Sequence, residues 1–230
     1  MRSKVPTLES LFHSDALVNA LQKKLPELKL LSGTKARTLK VQMNKGNGGC
    51  FPLHYDNPGR PNMRKLTCLL YLNSDWKEGD GGELQIVPFL SDPVKIHPLM
   101  DRMVIFRSDL LLHKVFPSVA ERFCLTIWID AEQGAVNTDD DVLLKISKSE
   151  VEDDLEGLVA KMRISPMQRA VSRAVYRDEY ETSLRDCMKG AEGCKEMLQS
   201  HQLHIQAVKS NPGLWGLVEI LSALRPKHGP

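Results

Sequence analysis

The sequence predicts a mostly β core with flanking α-helices and a C-terminal helical extension. Three observations predict it. Between residues 38 and 129, short apolar runs rich in Val, Ile, Leu and Thr are separated by Gly, Pro and Asn turn signals, and strands so closely spaced build a sandwich or barrel, not a parallel βαβ sheet. Ahead of them, Leu17, Leu21 and Leu25 recur at four-residue steps, the stripe of one helix face. Beyond residue 147 nearly every segment carries helix periodicity and helix-end signals.

Taken in order, SDALVNALQKKL (14–25) is a helix opening on Ser-Asp. RTLKVQM (ending at 43), KLTCLLYLN (65–73), GELQIVPF (82–89), PVKIHP (93–98), RMVIFR (102–107) and RFCLTIWI (122–129) read as strands, with GNGG (46–49) and EGDGG (78–82) as strong turns. SEVEDDLEGLVAKMR begins at a Ser149 cap with an acidic first turn and ends basic, as the helix dipole favours. The next helix is expected to run from a Ser165 cap, with Pro166 at its first position, to Gly190. AEGCKEMLQSHQLHIQAVKS and NPGLWGLVEILSAL are two more, separated at Asn211-Pro212. The polar stretch GAVNTDDD (134–141) joins two parts, 1–135 and 136–230.

The chain has 230 residues and a net charge of +2 from 31 basic and 29 acidic side chains. That balance argues against nucleic acid or a membrane surface as the main partner. Cys50, Cys68, Cys124, Cys187 and Cys194 make an odd count without a C-x-x-C, and Cys68 and Cys124 sit inside apolar runs. These features point to a reducing compartment, cytoplasmic or nuclear. The N-terminus lacks a signal-peptide core and no run reaches the ~18 apolar residues of a membrane span.

Chemistry concentrates in CFPLHYDNPGR (50–60). Strand side chains at i and i+2 share a face, so His54 and Asp56 project together. An imidazole and a carboxylate on one face supply two of the three ligands of a non-haem iron site. Alone, the pair reads equally well as a strand end entering an Asn-Pro turn. His113, in the apolar run LLLHKVF, is the candidate third ligand. Arg122 opens the last strand; an inward arginine is costly unless an anion meets it, and guanidinium pairs bidentately with carboxylate. Thr126 lies four residues on, on the same strand face. His201 and His204 read as a solvated helix face. The basic loop 57–65, with Arg60, Arg64 and Lys65, reads either as the border of a substrate entrance or, equally well, as a solvated loop.

The succession HYDNP, LTCLLYLN, GDGGELQIVP, DRMVIFRSD, His113 and RFCLTIWI, over about two-fifths of the chain, resembles the Fe(II)- and 2-oxoglutarate-dependent dioxygenases, and most closely the hypoxia-factor branch of the prolyl 4-hydroxylase superfamily. The resemblance implies a double-stranded β-helix (jelly roll). It implies iron ligation by His54, Asp56 and His113. The distal carboxylate of 2-oxoglutarate would pair with Arg122, with Tyr71 hydrogen-bonding it and Thr126 lining the pocket. It further implies O2 as co-substrate and ascorbate as a reductant. The expected reaction is hydroxylation of a protein or peptide side chain, prolyl first, with release of succinate and CO2. The same chemistry on a lysyl, free amino acid or small-molecule substrate is the alternative, as is a non-catalytic binding or sensing module. Asn44 departs from this branch, which has tyrosine there. The segment 28–37 is a second candidate lid by analogy. The extension has no counterpart in the resemblance; it is a docking surface or a homodimer contact, and LVEILSAL (217–224) is apolar enough to pack on the core or on a copy of itself.

Overall fold

The computed structural model describes residues 5–132, 154–189 and 192–226. Eight strands form among the described residues: β1 (Arg37–Lys45), β2 (Phe51–His54), β3 (Arg64–Tyr71), β4 (Leu84–Val87), β5 (Val94–Ile96), β6 (Met103–Arg107), β7 (Leu112–Val115) and β8 (Glu121–Asp130). They make two four-stranded antiparallel sheets, ordered β1-β8-β3-β6 and β2-β7-β4-β5. Apart from β4 and β5, consecutive strands alternate between the sheets. Each sheet therefore turns one face inward, where Leu69, Tyr71, Leu84, Ile86, Phe106, Val115 and Cys124 meet.

The outer faces are covered differently. Helix α1 (Pro6–His13) buries nothing. Helix α2 (Ala16–Lys24) lies over the first sheet, where Leu17, Val18 and Leu21 pack with Leu66, Cys68, Ile127 and Ile129. Asp15 does not cap α2 with its side chain but binds Arg37 and the Gly33 N–H. Segment 28–37, expected as a lid, is tied down. Leu28 and Leu30 are buried, Leu31 N–H donates to Asp130 O, and Arg37 pairs with Asp15.

The extension comprises α3 (Leu155–Ile164), α4 (Arg169–Val175), α5 (Arg177–Cys187), α6 (Cys194–Lys209) and α7 (Pro212–Ala223). It packs on the outer face of the second sheet: Leu53, Val87, Phe89, Leu90 and Leu112 share one core with Met162, Met167, Val171, Val175, Leu217 and Leu221. Each such side chain contributes about 1.5–3 kcal/mol on burial. Leu217, Val218 and Leu221 enter this core, while Leu224 of the same stretch stays exposed.

Several expectations are corrected. The helix expected from Ser165 to Gly190 breaks at Tyr176 (φ −104°, ψ 32°), whose hydroxyl accepts the Leu90 N–H at 2.8 Å. Ser165 does cap, accepting from Met167 N–H, while Gly190 falls outside the described residues. So do the Ser149 cap, the 134–141 joint and the 135/136 boundary; the described part of that helix starts at a cap from Asp154. His201 is buried, stacks on Tyr180 and accepts from Arg173 Nε at 3.1 Å. Cys50 and Cys187 are joined by a disulfide with Cα atoms 5.4 Å apart, against the expectation of five reduced thiols. Their separation of 137 residues leaves no spacing signal to read. Among the described residues no helix is long and apolar enough to cross a membrane.

Candidate metal and carboxylate site

Edge strand β2 pairs with β7, which sets His54 opposite His113. Asp56 follows on the same face. His54 Nε2 lies 3.4 Å from one Asp56 oxygen and His113 Nε2 lies 3.7 Å from the other. The candidate donor atoms of the three residues are all within 4.8 Å of one another. Each imidazole faces a backbone carbonyl with Nδ1: His54 faces Pro52 O at 2.7 Å and His113 faces Leu111 O at 3.0 Å. Nδ1–H then donates to the carbonyl, and the Nε2 lone pair is directed at the shared space, the arrangement metal-ligating histidines use. Burial, then the neighbouring His54, lowers the His113 pKa to about 4 against the pull of Asp56, so the ring is neutral near pH 7. Burial pushes the Asp56 carboxyl up. The adjoining His54 side chain, the nearness of His113 and the Thr67 hydroxyl (2.7 Å) outweigh it and hold the group well below the usual carboxylate range. Two imidazoles and one carboxylate, converging from adjoining strands, fit a divalent iron ion.

A cavity runs from this triad to the base of β8, lined by Lys40, Gln42, Leu84, Arg122, Thr126 and Trp128 among others. Alternation along β8 turns Arg122, Cys124, Thr126 and Trp128 inward together. Arg122 is buried, and its Nε donates to Gly82 O at 2.8 Å. That bond aims the rest of the guanidinium while the cavity brings it a carboxylate-sized space. Tyr71 lies outside the lining, behind Arg122, whose guanidinium carbon is 5.2 Å from its ring centre. The Tyr71 hydroxyl is buried and has no hydrogen-bond partner among the described residues, and burial pushes its pKa up to about 12 despite the Arg122 charge. Thr126 donates to Gln42 Oε1 at 3.4 Å.

The Gly81-Gly82 turn is what lets Arg122 lie flat. Gly82 has φ +74°, and a Cβ there would sit 2.6 Å from Arg122 Cδ. Gly82→Ala is expected to weaken 2-oxoglutarate binding about tenfold or more by shifting the guanidinium, while Fe(II) binding in its absence changes little. Titrating each ligand separately checks this.

Asn44, the departure from the resemblance, is spent in the turn that follows it. Its Oδ1 accepts the Gly46 N–H and its Nδ2 donates to Gly49 O. A second cavity opens beside it, sharing Gln42, Phe51, Val115 and Arg122 with the first. Of the three basic loop residues, Lys65 is paired with Asp109 at 2.9 Å and Arg64 stacks over Trp128 at 4.3 Å. Lys40, Gln42, Thr67 and Trp128 are site residues that the sequence reading missed. Continuing the i, i+2 alternation past Thr126 finds Trp128, and the β1–β8 register, Gln42 opposite Cys124 and Lys40 opposite Thr126, gives the other wall.

A family model described as the 2OG-Fe(II) oxygenase superfamily matches residues 39–130. Human prolyl hydroxylase EGLN3 is 40% identical over 97 residues, 39% of this chain and 39% of that protein. Human Egl nine homolog 1 is 37% identical over 125 residues, 53% of this chain and 28% of that protein. The chain thus spans about two-fifths or less of these curated relatives. A crystal structure of a prolyl 4-hydroxylase from Phytophthora capsici superposes with a TM-score of 0.85 at 50% identity, covering 96% of this chain and 73% of that one. Identity and coverage of that extent, over the sheets and the helical extension alike, place the chain in the 2OG-Fe(II) oxygenase superfamily, in its prolyl hydroxylase branch.

Proposed function

We propose that the chain is a 2-oxoglutarate-dependent dioxygenase that hydroxylates prolyl residues of a protein or peptide. The observation that carries this is one cavity with a two-histidine, one-carboxylate triad at one end and a buried, pre-aimed arginine at the other. His54, Asp56 and His113 would hold Fe(II), which when bound supplies the O2 chemistry that couples decarboxylation of 2-oxoglutarate to substrate hydroxylation. Arg122 binds and orients the distal carboxylate, and the orphaned Tyr71 hydroxyl offers a further donor on that side. Leu84, Val115 and Phe51 keep water from the path between the two ends. The alternation of strands between two facing sheets supports a double-stranded β-helix. The names of the curated relatives support prolyl residues as targets. Arg64, held on Trp128 at the cavity, is placed to meet the substrate chain.

The test is anaerobic addition of Fe(II) and 2-oxoglutarate to the wild type and to His54→Ala. The wild type should develop the weak visible charge-transfer band of an iron–2-oxo acid chelate, and the variant should not. Proline-containing peptides incubated with the aerobic enzyme should then gain the mass of one oxygen. Absence of the band in folded wild-type protein overturns the proposal.

A further inference from the structure

We propose that the C-terminal helices are the positioning frame of the metal ligands, so that Ser183, Tyr55 with Ser172, and Arg169 set the affinity for the metal. The inference rests on the reading that His54, Asp56 and His113 bind Fe(II). Strand β2 is at the edge of its sheet, bonded to β7 on one side and interrupted by a bulge between Phe51 and His54. Its other side meets α5 instead of a strand. The Leu53 N–H, which would otherwise await a strand partner, donates to Ser183 Oγ at 3.0 Å, and the Ser183 hydroxyl in turn donates to Tyr180 O at 2.9 Å.

Alternation repeats the pattern. His54 and Asp56 face the cavity, so the residues between and beside them face the helices. The Tyr55 hydroxyl lies 2.8 Å from Ser172 Oγ and 3.2 Å from Gln168 Oε1. Ser172 donates onward to Gln168 O at 2.7 Å, and Gln168 Nε2 donates to Met162 O at 3.1 Å. Asn57 O, immediately after the second ligand, accepts from Arg169 Nη1 at 3.1 Å. Gln168, Ser172 and Ser183 are at most 2% exposed. Positions 53, 55 and 57 are therefore each fastened by a directional polar contact to the extension, while 54 and 56 between them present the donors.

Apolar packing alone would bury Leu53 and the Tyr55 ring. It would not fix the strand along its own axis. Buried, fully satisfied hydrogen bonds do that, because a shift of a few tenths of an ångström leaves a donor unpaired. Metal ligands need placement of that precision, and loss of a group that orients a ligand lowers metal affinity about 10–100-fold.

The experiment is an anaerobic Fe(II) titration, without 2-oxoglutarate, of the wild type, Tyr55→Phe, Ser183→Ala, Ser183→Thr and Asn211→Ala. Asn211 caps α7 through Leu214 N–H, so its variant lowers stability away from β2. Tyr55→Phe and Ser183→Ala should each raise the Fe(II) Kd about five- to tenfold or more. Ser183→Thr, which keeps the hydroxyl, should restore most of the affinity, and Asn211→Ala should bind like wild type. Wild-type affinity in both Tyr55→Phe and Ser183→Ala overturns the inference. So does an equal loss in Asn211→Ala, which would make the effect one of global stability. A wild type that takes up no Fe(II) instead overturns the reading on which the inference rests.

Discussion

Arg122→Ala should raise the 2-oxoglutarate concentration needed for half-maximal turnover by about two to three orders of magnitude. Arg122 is 5% exposed and its Nε is already committed to Gly82 O, which leaves the outer guanidinium nitrogens for a carboxylate. Removing one partner of a buried, hydrogen-bonded charge pair costs about 2–5 kcal/mol, and each 1.4 kcal/mol is about tenfold in affinity. Arg122→Lys should recover only part of this, because an ammonium cannot hold the Gly82 carbonyl and present a planar fork at once. Fe(II) affinity measured without 2-oxoglutarate should stay near wild type, since the triad stands on other strands. Steady-state titration of 2-oxoglutarate against each variant decides it. An unchanged half-saturating concentration would show that the carboxylate lies elsewhere.

The second large effect concerns the Cys50–Cys187 disulfide. Oxidised wild-type protein should melt about 5–15 °C above Cys187→Ser. The bridge closes a loop with a sequence separation of 137, and a crosslink of that reach stabilises by restricting the unfolded chain, typically by about 2–4 kcal/mol. For a chain of this size each kcal/mol shifts Tm by about 2–4 °C. Dithiothreitol should lower the melting temperature of the wild type to that of the variant and leave the variant where it was. Coincident melting curves for oxidised and reduced wild type would mean that the bridge adds nothing.

What could be read in the sequence follows from the range of the contacts involved. Strand alternation within a few residues put His54 with Asp56 and Arg122 with Thr126. The ordered motifs supplied His113, and the structure brings it opposite His54. Helix α2, the cap at Ser165 and the helix break at Asn211-Pro212 are equally local and stand where local signals put them. The rest depends on partners tens to more than a hundred residues away. Tyr55 looks like an interchangeable residue between two ligands until Ser172 is beside it. Ser183 looks like a polar residue on an ordinary helix until the Leu53 N–H meets it. His201 seemed to belong to a solvated face because nothing nearby in sequence announces Tyr180 and Arg173. The break at Tyr176 is of the same kind: its cause is the Leu90 amide, 86 positions back.

The shared core beneath the second sheet also bears on modularity. The stretch matched by the family model, 39–130, buries Leu53, Phe89, Leu90 and Leu112 against side chains that come only after residue 154. Cut free, it would present a greasy sheet face and an unpaired β2 edge, the template on which strands of separate molecules join. The helices thus act as an aggregation guard, and the catalytic segment cannot be transplanted as a cassette.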